Sequence, residues 1–229
     1  MNEQKDAIAI LLANRCYLYK LFQRVFGNEP DLELMKIVTN EHTLEACDLL
    51  FQDKDGGKFS HRDVLEKLKS KVEHDPENTS EALKSEYTYY FIGPHKLPAP
   101  PWESVYRNKE RKLFQESTLE VRHAYLEYEF LPANYPHEAD DHIALELDFM
   151  YHLAELAQRE FEQGNTETVK KVLADQQNFL QKHMLQWVDE FSKLMQNGNR
   201  TEFYPHMSAL LSKMIHLDAE VIEEIISSI

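Results

Sequence analysis

The segment that decides the fold is VKKVLADQQNFLQKHMLQWVDEFSKLMQNG, residues 169–198. Its apolar positions are Val169, Val172, Leu173, Leu180, Met184, Trp187, Val188, Phe191 and Met195, and Gly198 closes the run. Most steps between them are one or two helical turns, so they share one side of an amphipathic helix. The chain opens in the same way. Ile8, Leu11, Leu12, Leu18, Phe22, Val25 and Phe26 form a second stripe, ended by Gly27. From 143 to 157 the apolar residues are denser, which predicts a central helix buried on more than one side, with Asp140 or Asp141 as its cap. Residues 79–91 read as a further helix, capped by Thr79 or Ser80, with Leu83, Tyr87, Tyr90 and Phe91 on its apolar face.

The six glycines and nine prolines of this 229-residue chain cluster in short gaps. Between them lie uninterrupted stretches at 1–26, 102–131, 137–163, 165–197 and 206–229, which predict long helices. No strand-flanked hairpin signal occurs, and Asp55-Gly56-Gly57 reads as a turn within an inter-helix loop. The fold class is therefore all-α, a single helical bundle. Its N-terminal half covers about 1–130, a hinge covers 131–141, and its C-terminal half covers 142–229.

The formal net charge is −15. Such a surface repels phosphate backbones and anionic membranes and attracts cationic partners. An apolar content of 42% excludes a disordered chain. Cys16 and Cys47 belong to no CxxC motif and make no disulfide framework, so both read as small apolar residues in a reducing compartment. The opening residues, Met-Asn-Glu-Gln-Lys-Asp, carry acids where a signal peptide needs a basic start. The run before Cys16 is too weak for a lipoprotein site, with Arg15 adjacent, and no run approaches the roughly 18 apolar residues of a membrane span. A soluble cytoplasmic protein is expected.

Two segments stand out. Residues 93–105, GPHKLPAPPWESV, form a stiff proline-rich loop beside Tyr89, Tyr90, Phe91 and Tyr106. Trp102 on that loop either caps the core or walls an apolar groove for a peptide. Residues 131–141 lead into Asp140-Asp141-His142, with Glu146 one turn beyond His142. That cluster suits helix capping, a polar contact to a cationic ligand, or a divalent metal. Residues 137–162 hold eight acids against one arginine, either a solvated face or a match for guanidinium groups. The chain has no Walker A loop, GxGxxG, GxSxG or HExxH.

Several blocks resemble the TorD/DmsD family of molybdoenzyme maturation chaperones, most of all its DmsD-like branch. They are Tyr90-Phe91-Ile92-Gly93-Pro94, Leu97-Pro98-Ala99-Pro100-Pro101-Trp102-Glu103-Ser104-Val105-Tyr106, Ser117-Thr118-Leu119, Glu138-Ala139-Asp140-Asp141-His142, and the segment from Phe179 to Trp187. The resemblance implies a cytoplasmic chaperone, not an enzyme and without a cofactor. It would bind the twin-arginine signal peptide of a molybdopterin-dependent oxidoreductase until cofactor insertion and Tat export. Its peptide surface would include Phe22, Tyr87, Tyr90, Phe91, Pro101, Trp102, Tyr106, Asp141 and His142. The aromatic and proline residues would line the groove, and Asp141, with Asp140 or Glu138, would pair with the arginines. His142 would orient Asp141 or bridge the two halves. The expected hinge residues are Glu138, Ala139 and Asp140. Ala139 stands where the family usually has proline, Tyr106 where the DmsD branch often has tryptophan, and Gln115 where it has glycine. A helical metal- or nucleotide-dependent hydrolase built on Asp140, Asp141, His142 and Glu146 is the competing reading. A hinge at 131–141 would also permit a domain-swapped dimer beside the monomer.

Overall fold

The structure is a computed structural model that describes residues 2–51, 60–94, 96–107, 116–132, 138–200 and 203–229. Asp55-Gly56-Gly57 and Gln115 lie outside the described residues. The fold is all-α: among the described residues there is no strand, and one isolated antiparallel bridge joins Trp102 to His142.

The N-terminal stripe forms α1 (Asn2–Gly27), whose Leu12, Leu18, Phe22, Val25 and Phe26 are buried. Its main neighbour is α8 (Ile143–Glu162), the predicted central helix. Consecutive residues from Ile143 to Leu147 are all buried, as a helix covered on several sides requires. Ala144, Ala154 and Ala157 of α8 are buried, and the small Ala144 lies where the end of α1 crosses. At Gly27 a side-chain carbon would sit 3.1 Å from the Ala144 methyl, so the glycine marks a tight crossing as well as a helix end. α9 (Thr166–Lys182) and α11 (Tyr204–Ser228) complete the cage around α8 and α1, and α10 (Val188–Gln196) packs on α11. Between Gly27 and residue 75 the chain adds α2 (Leu32–Val38), α3 (Glu41–Phe51) and α4 (His61–His74).

Four predicted boundaries move. The helix expected over 79–91 is α5 (Pro76–Tyr87), which begins earlier because Asp75 caps it, accepting from the Asn78 amide at 3.2 Å, and Pro76 takes its first turn. Thr79 instead donates its hydroxyl to the Asp75 carbonyl at 2.7 Å. α5 then widens into a π-helical turn, Thr88–Ile92. The 102–131 stretch is not one helix: it contains α6 (Glu103–Arg107) and α7 (Glu116–Glu127). The 165–197 stretch breaks after Lys182 into a 3-10 turn, Met184–Gln186, although neither Gly nor Pro marks the place. α8 is capped by the His142 ring rather than by Asp140 or Asp141; its Nδ1 accepts from the Ala144 amide at 3.1 Å.

Both thiols are free. Burial pushes Cys47 up to about 12 and Cys16 up to about 11, so both stay protonated at neutral pH.

Candidate functional site

The two segments singled out in the sequence meet. The Ile143 amide donates to the Pro101 carbonyl at 2.8 Å, and the Glu103 amide donates to the Asp141 carbonyl at 3.0 Å. The proline loop is thus zipped to the start of α8. A proline can serve this zip because its carbonyl, not its missing N–H, is what the ladder uses. The Trp102 and His142 rings meet edge to face at 5.6 Å, and Trp102 Nε1–H donates to Glu138 Oε1 at 2.8 Å.

Beneath this join lies a buried polar layer. Asp141 is 0% exposed. One of its oxygens accepts from the Ser104 amide at 2.8 Å, the other from the Thr118 hydroxyl at 3.1 Å. It therefore caps α6 and ties α7 to α8. Asp140 accepts from Arg122 Nε at 2.6 Å, while its carbonyl accepts from the Tyr125 hydroxyl at 2.9 Å. Glu103, also buried, pairs with His183 Nδ1 at 3.0 Å and with Arg107 Nη1 at 2.8 Å. Glu146 accepts from Trp187 Nε1–H at 3.2 Å; its other oxygen is buried and accepts no hydrogen bond from the described residues. Burial, then the charges of Glu103 and Asp141, raise the Glu146 carboxyl well above the usual range. A protonated acid directed at the Glu103 carboxylate fits that setting. Burial lowers His142 to about 4, against the opposing pull of Glu138 and Asp141. Its ring is neutral at pH 7, as an acceptor at Nδ1 must be.

Alongside the join runs an aromatic strip. Tyr87 and Phe91 are half-buried, with rings 5.0 Å apart, and Phe91 rests on Tyr204 at 5.2 Å and Phe26 at 6.1 Å. Ile92, next to Phe91, is 63% exposed. Burial first, then the charges of Glu29 and Glu138, raise the Tyr87 hydroxyl above its ordinary value, so these two carboxylates border the strip.

Of the expected peptide-surface residues, the structure leaves Tyr87, Phe91, Trp102, Tyr106 and His142 partly exposed. Phe22, Tyr90, Pro101 and Asp141 are buried. Phe22 stacks on Phe26 at 6.4 Å within the core. The Tyr90 hydroxyl donates towards the carbonyls of Met195 at 2.9 Å and Arg200 at 2.5 Å. Asp141 is fully buried with a protein donor on each oxygen, so it is not presented to solvent. Glu138 is partly exposed; Oε1 takes both of its hydrogen bonds and Oε2 has none among the described residues. Tyr106 packs on Trp187 at 5.3 Å and donates to the Pro100 carbonyl at 2.8 Å. The expected hinge residues are all bonded: Glu138 to Trp102, the Ala139 carbonyl to the His142 amide, and Asp140 to Arg122.

Sequence reading missed the supports: Ser104, Thr118, Arg122, Glu103, His183 and Trp187. All but Arg122 lie in the blocks that carry the resemblance, but their bonds span 18 to 80 residues, so no local pattern assigns them these roles. Among the described residues no group of three or more His, Cys, Asp or Glu could hold a metal ion, and the four residues of the hydrolase reading are committed to these structural bonds.

The site is thus an internally braced aromatic platform on an all-helical body. A family model described as the nitrate reductase delta subunit matches residues 60–193, and the chain belongs to this family, that of the TorD and DmsD chaperones. Among its relatives is the probable Tat proofreading chaperone DmsD of Haemophilus influenzae, 26% identical over 200 residues, 86% of this chain and 85% of that protein. The chaperone protein TorD of Vibrio atlanticus is 26% identical over 223 residues, 96% and 94% of the two chains. The Tat proofreading chaperone DmsD of Salmonella typhi is 44% identical over 45 residues, 20% of this chain and 22% of that protein. No described helix is long and apolar enough to cross a membrane.

Proposed function

We propose that this chain is a cytoplasmic maturation chaperone that binds the twin-arginine signal peptide of a molybdopterin-dependent oxidoreductase and holds it until cofactor insertion and Tat export. The observation that carries the reading is the platform of Trp102, His142, Tyr87 and Phe91, bordered by Glu138 and Glu29, in a chain whose relatives are named Tat proofreading chaperones. The rings take the apolar part of the signal. Glu138 Oε2 takes one guanidinium, and Glu29, which also pairs with Lys84 at 3.4 Å, takes the other from across Tyr87, carboxylates being their natural partner. Asp141 acts by position: it fixes α6 against α8 and so sets the angle of Trp102. The proline-rich stretch 96–101 needs little ordering on binding, which favours affinity.

Isothermal titration with a synthetic twin-arginine signal peptide, beside a Lys-Lys version, tests this. Saturable binding weakened by Lys-Lys is expected. Trp102→Ala should weaken it roughly tenfold while helicity is retained. Glu138→Gln should remove the preference for arginine. Normal binding by both variants would retire the platform.

A further inference from the structure

A cavity of 610 Å³ runs along the seam between α4 and α5, apart from the platform just described. Its lining includes the apolar Val64, Leu68 and Leu83, and among the described residues it carries Lys67, Lys71 and Arg200 against a single carboxylate, Asp63. This local excess of cations stands on a chain of net charge −15, so general attraction does not account for an anion settling there. Arg200 is anchored: its carbonyl accepts the Tyr90 hydroxyl at 2.5 Å, and its guanidinium lies 5.9 Å from the Tyr89 ring centre. Lys67 and Lys71 sit one turn apart on α4, the spacing at which side chains stand about 6 Å from each other.

The shape of the charge decides the ligand. At each of the two nearby helix starts one amide is answered by the cap residue's side chain. Ser60 Oγ accepts from the Asp63 amide at 3.4 Å, and Asp75 from the Asn78 amide at 3.2 Å. An anion here meets separated point charges beside an apolar lining, not a cradle of amides made for one phosphate. From Val64 to Lys71 the seam extends about 10 Å, two turns of a docked helix. We propose that the α4–α5 seam binds an acidic amphipathic helix of a protein partner. Its apolar residues would lie on Val64, Leu68 and Leu83, and two glutamates four residues apart would face Lys67 and Lys71.

The test uses the full chain and a fluorescein-labelled helical peptide of about 15 residues, long enough for a few turns. It carries leucines at three- and four-residue steps and Glu pairs four apart. Anisotropy should report binding that weakens at high salt, and at least tenfold in the double variant Lys67→Glu, Lys71→Glu. A carbodiimide should join peptide carboxylates to Lys67 or Lys71, read by mass spectrometry. Unchanged circular dichroism would show that the double variant still folds. Three outcomes overturn the proposal: no binding to the unaltered chain, equal binding of a peptide with Gln for Glu, or displacement of the peptide by equimolar tripolyphosphate. The last would mark a phosphate site instead.

Discussion

His142 and Glu146 lie one turn apart at the start of α8, and their surroundings push them in opposite directions. The His142 ring accepts a backbone amide and is lowered to about 4. Protonation therefore opposes the fold, and stability falls as pH drops from the ordinary histidine value of 6.5 towards 4. Asparagine keeps an acceptor at this capping position but cannot titrate. His142→Asn should match the unaltered chain at pH 7.5 within about 1 kcal/mol and lose less stability between pH 6.5 and 4, as read by urea denaturation. Glu146 is the reverse case. Its carboxyl is raised by burial beside Glu103 and Asp141, so the folded state binds a proton that the unfolded chain releases above 4.5. Stability from this group is full below 4.5 and declines as pH rises. Glu146→Gln mimics the protonated acid, and its stability relative to the unaltered chain should climb from pH 5 to pH 8. A flat difference across that range would mean that Glu146 is ionised in the fold.

The helices were largely legible because their cause is local. The stripe of α1 and the dense run of α8 are properties of adjacent residues, and both helices form where the periodicity puts them. The departures have distant causes. The break after Lys182 turns His183 onto Glu103 and Trp187 onto Glu146, residues 80 and 41 positions away, and no local signal encodes either bond. The π-helical turn at Thr88–Ile92 likewise follows from where Tyr90 must reach. Its hydroxyl bridges the carbonyls of Met195 and Arg200, 105 and 110 positions on. The aromatic and acidic residues of the site were therefore readable as a set, whereas which of them face outward was not. Gly198 supplies the room for the Tyr90 bridge: a side-chain carbon there would sit 2.3 Å from the hydroxyl and 3.0 Å from the ring. A rigid ring held at both carbonyls has little freedom to yield. Gly198→Ala should cost about 1–3 kcal/mol by overpacking, and Tyr90→Phe in the same background should recover part of it. Urea titrations of the single and double variants decide the matter; a neutral Gly198→Ala would show that the turn relaxes freely.

At the scale of the whole molecule, one buried network fastens the first helix to the last. Arg15 of α1 donates from Nε to Asp218 of α11 at 2.5 Å and from Nη2 to the same carboxylate and to Gln176 of α9, each at 3.0 Å. Tyr19 donates to that carboxylate as well, at 2.6 Å. All four side chains are buried, and Arg15 Nη1 has no partner there. Such an arrangement gains little over apolar packing, because desolvation offsets the attraction, but it strongly penalises the loss of one member. It also fixes how α1, α9 and α11 close around α8, the helix whose first residues carry the platform. Arg15→Met alone should cost about 3–5 kcal/mol, a large part of the 5–15 kcal/mol typical of a domain. Adding Asp218→Leu should return much of that loss, since no buried charge is then left alone. The double-mutant cycle, measured in urea, should thus show strong coupling between positions more than 200 residues apart in sequence. The platform is independent of this network, because its bonds run through α6, α7 and the start of α8 and not through Arg15. Below its lowered midpoint the double variant should therefore bind the signal peptide as the unaltered chain does. Additive losses would mean that the pair is not coupled, and weakened peptide binding in a fully folded double variant would mean that the clamp, not the local zip of Pro101 to Ile143, sets the platform.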